Sequence, residues 1–147
     1  MLLSVRPRFA EAILAGTKSV EIRRQRPAAQ PGMPVILYAT KPLGAVIGTA
    51  HIEKIRYGTP ADLWKRHHDQ VGVTQEEFDQ YLNGSTTAYL LMLTEAQRLP
   101  YPLTLEDMRE TVAFQPPRSY RYLDSSTLRT LVNGHPGGAS LMSLLNG

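Results

Sequence analysis

The rhythm of apolar and polar positions changes repeatedly along the chain, and each change marks an element. Met1 to Val5 is a short apolar run that reads as a strand. From Pro7 onward, Phe9 with Ile13 and Ala10 with Leu14 recur at helical spacing, and Gly16 stands where a left-handed residue closes a helix. TKSVEIRR then alternates, with Val20 and Ile22 on one face of a strand and Ser19, Glu21 and Arg23 on the other. RPAAQPGMP is a Pro/Gly-rich loop. VILYAT and AVIGTAHIEKI read as two strands joined by KPLG in a hairpin. PADLWKRHHD is a helix opened by Pro60, and TQEEFDQYLNG another, with Thr74 and Glu77 in capping-box spacing and Gly84 at its close. TAYLLMLTEAQRL is apolar enough for a central strand. TLEDMRE repeats the helix-start signal with Thr104 and Asp107, and SSTLRTLVNG is a helix ending at Gly134. Short strands mixed with short helices, without a βαβ rhythm, predict an α+β domain built on a small sheet or barrel.

Length changes this picture little: 147 residues make one domain with a real core, placed at 1–134. The segment 135–147, HPGGASLMSLLNG, is a hinge followed by an apolar tail, either a docked helix or a partner-binding element. No apolar run approaches the ~20 residues that span a bilayer, so no membrane partner is expected. The opening MLLSVRPRFAE has two Leu before two Arg, the reverse of a secretory signal, and cysteine is absent. Cytoplasmic residence fits these features best, and oligomeric state is left open. Charge adds more. The net +3 conceals nine Lys/Arg against three Asp/Glu in residues 1–58, four against nine in 59–110, and three against one beyond. A basic end beside an acidic middle suits one positive face able to attract phosphate, and equally a dipolar protein with no anionic partner.

The densest charge pattern lies in AGTKSVEIRR, where Lys18, Glu21, Arg23 and Arg24 surround Val20 and Ile22. Strand alternation puts Glu21 and Arg23 on one face, where a charge-assisted pair would orient the guanidinium for a planar anionic or carbonyl ligand. His67 and His68 invite a metal, but neighbouring side chains on a helix point ~100° apart, and no His-x-x-x-His or His-x-x-Glu spacing supports them. No metal and no cofactor are expected, and Trp64 reads as a core anchor for that helix.

The spacing Gly16-x-Lys18-x-x-Glu21-x-Arg23 after a short amphipathic helix resembles the signature of the ASCH domain, within the PUA-like superfamily. The opening LLSVRPRFAEAILAGTKSVEIRR, the hairpin VILYATKPLGAVIG, the segment PLTLEDMR and PPRSYRYL follow in the order expected of ASCH proteins, covering about residues 2–123. The resemblance implies a PUA-like β-barrel of five to six strands with surrounding short helices and a cleft lined by the signature. It also implies RNA or a nucleotide-like ligand, since family members are linked to RNA binding, ribonuclease activity, hydrolysis of acetylated cytidine and transcription coactivation. The ligand-binding candidates are then Lys18, Glu21, Arg23, Arg24, Tyr38, Lys41, Ser119 and Arg121, with Lys18, Glu21 and Ser19 catalytic if the protein is an enzyme. Tyr38 and Lys41 sit in YATKP, where a strand ends at a hairpin, and Tyr38 reads equally well as a core residue. Ser119 to Tyr122 interleave hydroxyl, aromatic and cationic groups suited to stacking bases and holding phosphates, although Tyr120 and Tyr122 can instead pack on the core. In the acetylcytidine amidohydrolase branch a nucleophilic Thr stands three residues after the Lys. Glu21 occupies that position here and cannot act as an alcohol nucleophile. The expectation is a binder of RNA or nucleotide. A hydrolase acting on RNA or on a modified nucleoside is the first alternative, and a protein-interaction or coregulator module using ASLMSLL the second.

Overall fold

The computed structural model describes residues 1–146, with side chains to Ser143. Its strands are β1 (Leu2–Val5), β2 (Val20–Arg23), β3 (Pro34–Ala39), β4 (Ala45–Gly58), β5 (Ala88–Thr104) and β6 (Tyr120–Arg121). The helices are α1 (Pro7–Ala15), α2 (Pro60–His67), α3 (Gln75–Tyr81), α4 (Leu105–Arg109), α5 (Ser125–Val132) and α6 (Pro136–Asn146). The strands form one sheet in the order β2-β5-β4-β3-β1-β6. It curls into a half-barrel with helices around it, the α+β PUA-like architecture that the resemblance implies.

Two departures from the sequence reading matter for the site. TKSVEIRR becomes a strand only from Val20. Before it, the amides of Thr17 and Lys18 bond the Ala12 carbonyl at the end of α1, and those of Ser19 and Val20 bond Gln70. Conversely, β4 and β5 run to 14 and 17 residues, longer than periodicity suggests. Bulges break their register between Val46 and Gly48, Thr49 and His51, and Ile52 and Lys54. Each bulge adds bend and twist to the pair, which lets two long strands wrap instead of lying flat. β1 pairs in parallel with β3, a long-range pairing that a local hairpin reading does not contain.

Three apolar clusters fix the elements. One face of the sheet holds Leu3, Val35, Leu37, Ile47, Ile52 and Leu91 against Ile13 of α1. Val20, Ile22 and Leu90 pack on Leu63 of α2 and on Phe78 and Leu82 near α3. Leu2, Ile36, Tyr38 and Val46 pack on Met108 of α4, Leu131 of α5 and Leu141 of α6. Each fully buried side chain of this size contributes roughly 1.5–3 kcal/mol, so packing rather than intrinsic helix propensity anchors the short helices. α1 approaches β4 closely because Gly48 leaves room. A Cβ there would lie 2.6 Å from both the Leu14 side chain and the Gln97 carbonyl.

Candidate functional site

The edges of the curled sheet, β2 on one side and β1–β6 on the other, approach each other without a backbone ladder between them. Side chains close this seam. Arg23, at the end of β2, donates from Nη1 to Ser119 Oγ at 2.8 Å and from Nη2 to the Ser4 carbonyl at 3.3 Å. Ser4 in turn holds the facing segment, its amide bonding the Ser119 carbonyl and its hydroxyl donating to the Pro117 carbonyl at 2.7 Å. The Arg23 guanidinium spans the gap with the planar, multi-donor geometry that a lysine lacks.

Behind Arg23 the signature forms a chain of charges. Glu21 Oε2 lies 3.5 Å from Arg23 Nη2, and Glu21 Oε1 lies 3.6 Å from Lys18 Nζ and accepts from the Ile22 amide. Alternation along β2 produces this division, with Glu21 and Arg23 toward the cleft and Val20 and Ile22 packed beneath α2 and α3, where Ile22 also reaches the chamber wall. Lys18 is almost fully buried, at 1% exposed. Its Nζ donates to the Val71 carbonyl and lies 5.1 Å from the centre of the Phe9 ring. Gly72 lies directly over its stem. With φ at +68° and a Cβ position only 2.7 Å from Lys18 Cβ, no other residue fits there without displacement. Burial pushes the Lys18 ammonium below the ordinary lysine value, while Glu21 pulls in the opposite direction.

The seam opens into two adjoining grooves, each of about 620 Å³, within the range of roughly 300–1,000 Å³ of ligand pockets. The first is a chamber with Lys18, Glu21 and Arg23 at its base and Phe9, Ile22, Val73, Phe78 and Tyr81 on its walls. Arg6 and Arg118 also line it, as does Glu77, which is paired with Arg8. The Arg8 guanidinium and the Thr74 amide hold the Glu77 carboxyl down to about 2. The second groove carries Arg23, Arg24, Gln25, Arg26, Tyr81, Ser85, Arg118, Ser119 and Tyr120.

Of the expected site residues, Lys18, Glu21, Arg23, Arg24 and Ser119 line these grooves. Tyr38 does not: it is 2% exposed within the core cluster of α4 to α6, where burial raises its hydroxyl pKa. Lys41 is exposed at the hairpin and Arg121 sits over the Phe114 ring at 5.5 Å, and neither lines a groove. Ser19 lines neither groove. Tyr120 partly packs on the core and accepts from the Ala28 amide. Ser4, Arg6, Phe9, Arg26, Tyr81 and Arg118 were not singled out from the sequence. Arg118 lies one residue before Ser119 in PPRSYRYL, but only the folded seam brings it to the same grooves as Arg23. His67 bonds Gln70 and His68 the Trp64 carbonyl, and no cluster of three His, Asp or Glu suited to a cation occurs among the described residues. No described helix is long and apolar enough to cross a membrane.

Comparison with known proteins places these features in context. The model of the ASCH domain matches residues 3–111. An ASCH domain-containing ribonuclease of Zymomonas mobilis is 33% identical over 133 residues, spanning 90% of this chain and 89% of that protein. The crystal structure of ASCH from Zymomonas mobilis superposes with a TM-score of 0.83 at 32% identity, covering 90% of this chain and 93% of that one. A tyrosine-to-phenylalanine variant from that organism matches with the same TM-score at 31% identity, covering 90% and 96%.

Proposed function

Because the chain belongs to the ASCH domain family, we propose that it binds RNA in the cleft at the barrel seam and cleaves the strand held there. The observation that carries this reading is the Glu21–Arg23–Ser119 constellation across the seam, in a chain one third identical to a ribonuclease along nine tenths of its length. Arg23 Nε is buried and without a hydrogen-bond partner among the described residues. A buried cationic donor of this kind is satisfied by an incoming acceptor, and a phosphoryl oxygen fits both charge and geometry.

In the proposed reaction Glu21 takes the proton from a ribose 2′-hydroxyl as its oxygen attacks the adjacent phosphorus. Arg23 stabilises the charge on the non-bridging oxygens. The bond from phosphorus to the 5′-oxygen breaks, the leaving oxygen takes a proton from water, and a 2′,3′-cyclic phosphate remains. Lys18, buried behind Glu21, orients that carboxylate rather than touching the strand. A pure binding role is the second reading, favoured by the two ion pairs that hold Glu21 and by its 8% side-chain exposure. The test is incubation of a labelled single-stranded RNA with wild type and Glu21→Gln, read by gel and mass spectrometry, with binding measured by anisotropy. Cleavage to cyclic-phosphate ends that falls at least 100-fold in Glu21→Gln, with binding retained, supports the enzyme. Binding without cleavage by wild type supports the binder.

A further inference from the structure

The second groove differs in charge from the chamber beside it. Arg23, Arg24, Arg26 and Arg118 all line it, with the hydroxyls of Ser85 and Ser119 between them and no carboxylate in its lining. Arg23 has Glu21 as an ion-pair partner, but among the described residues Arg24, Arg26 and Arg118 have no carboxylate within 4.0 Å. Arg24 instead donates to Ser85 Oγ at 3.3 Å. Arg8 and Arg98 are paired with Glu77 and Glu11, whereas other exposed arginines such as Arg56 and Arg66 stand singly among the described residues; what sets this groove apart is that three unpaired guanidinium groups share one concavity. Three uncompensated guanidinium groups in one concave groove repel one another, and a polyanion relieves that repulsion. The unpartnered Arg23 Nε lies on a residue that both grooves share, as Tyr81 and Arg118 also do.

We propose that this groove is a phosphate track for the RNA backbone, continuing the strand out of the chamber. The ligand is then a polynucleotide strand, and a free nucleoside fills only half of the site. The proposal rests on the RNA reading above and extends it to residues outside the GxKxxExR signature. The chamber, walled by Phe9, Phe78 and Tyr81, receives one unstacked nucleotide. Arg24 and Arg26 of the loop after β2, with Arg118 before β6, hold the phosphates that follow. A regular duplex keeps its bases stacked and paired and cannot enter a chamber of this kind.

The test measures binding of a fluorescent single-stranded RNA by anisotropy across a salt series. It compares wild type with the double variant Arg26→Ala, Arg118→Ala and with the control Lys54→Ala, Arg56→Ala on exposed positions of β4. The groove variant is expected to bind at least tenfold more weakly at low salt. The slope of log affinity against log salt should fall in magnitude by about 1.4, at roughly 0.7 per lost phosphate contact on a single strand. The β4 control should stay close to wild type, and a duplex of the same sequence should bind more weakly than the single strand. Unchanged affinity and slope in the groove variant, with RNA still bound by wild type, overturn the track and leave the RNA reading standing. Absence of RNA binding by folded wild type at low salt overturns both. Circular dichroism of each variant confirms that the fold is intact.

Discussion

At the residue scale, Lys18 combines a charge with near-complete burial, a costly arrangement that only its partners make tolerable. Its ammonium is held by Glu21, the Val71 carbonyl and the Phe9 ring face, and burial still pushes its pKa down. The folded state therefore releases this proton at lower pH than the unfolded chain, whose lysine value is about 10.4. Through that alkaline interval the unfolded state binds more protons, so this residue makes stability rise with pH. The Tyr38 hydroxyl, raised by burial, acts in the opposite sense above its ordinary value, and comparison with Lys18→Met separates the two. We expect urea midpoints at pH 7, 8, 9 and 10 to rise for wild type relative to Lys18→Met. A constant difference across the series would show that the ammonium is not under this strain.

At the element scale, α3 contributes a wall of the chamber and is tied at its start to α1. Thr74 and Glu77 form the capping box read from the sequence, which satisfies amides that a short helix cannot satisfy internally. The Glu77 carboxylate also receives Arg8 from α1, so one side chain serves both a helix end and an interhelical contact. Its carboxyl lies at about 2, the Arg8 hydrogen bond being the largest cause. Because the folded value is depressed, the associated stability is present above the ordinary value of 4.5 and is lost as pH falls toward about 2. Glu77→Gln should abolish that acid limb, so the stability gap between wild type and variant should close between pH 4.5 and 2. Salt should shrink the effect, since the pair is exposed.

At the scale of the whole molecule, the half-barrel leaves two strand edges that must meet. β6 supplies only two residues, and Arg23 supplies much of the closure through Ser119, Ser4 and Glu21. A lysine keeps the charge but makes one point of contact where arginine makes several. Arg23→Lys should therefore cost about 1–3 kcal/mol through the acceptors left unpaired. Amide exchange of Ser4, whose amide bonds the Ser119 carbonyl, should accelerate more than that of the β4–β5 core. Uniform acceleration over the whole sheet would argue against a local seam. The α6 helix covers a separate face, where Leu141 is buried with Leu2 and Leu131.

Local chemistry settled much of this protein in advance. Period-2 alternation in VEIR divided Glu21 and Arg23 from Val20 and Ile22, the capping boxes at Thr74 and Thr104 started α3 and α4, and ordered sequence blocks pointed to the ASCH fold. These features were legible because each depends on residues a few positions apart. Tertiary structure alone decided the rest. It buried Lys18 under Gly72, and it took Tyr38 into the core while leaving Lys41 and Arg121 outside both grooves. It also brought Arg118 and Ser119 to Arg23 across nearly a hundred residues of chain. Those outcomes depend on how far two bulged strands curl and on which edges then face each other, and no local period along the chain encodes that distance.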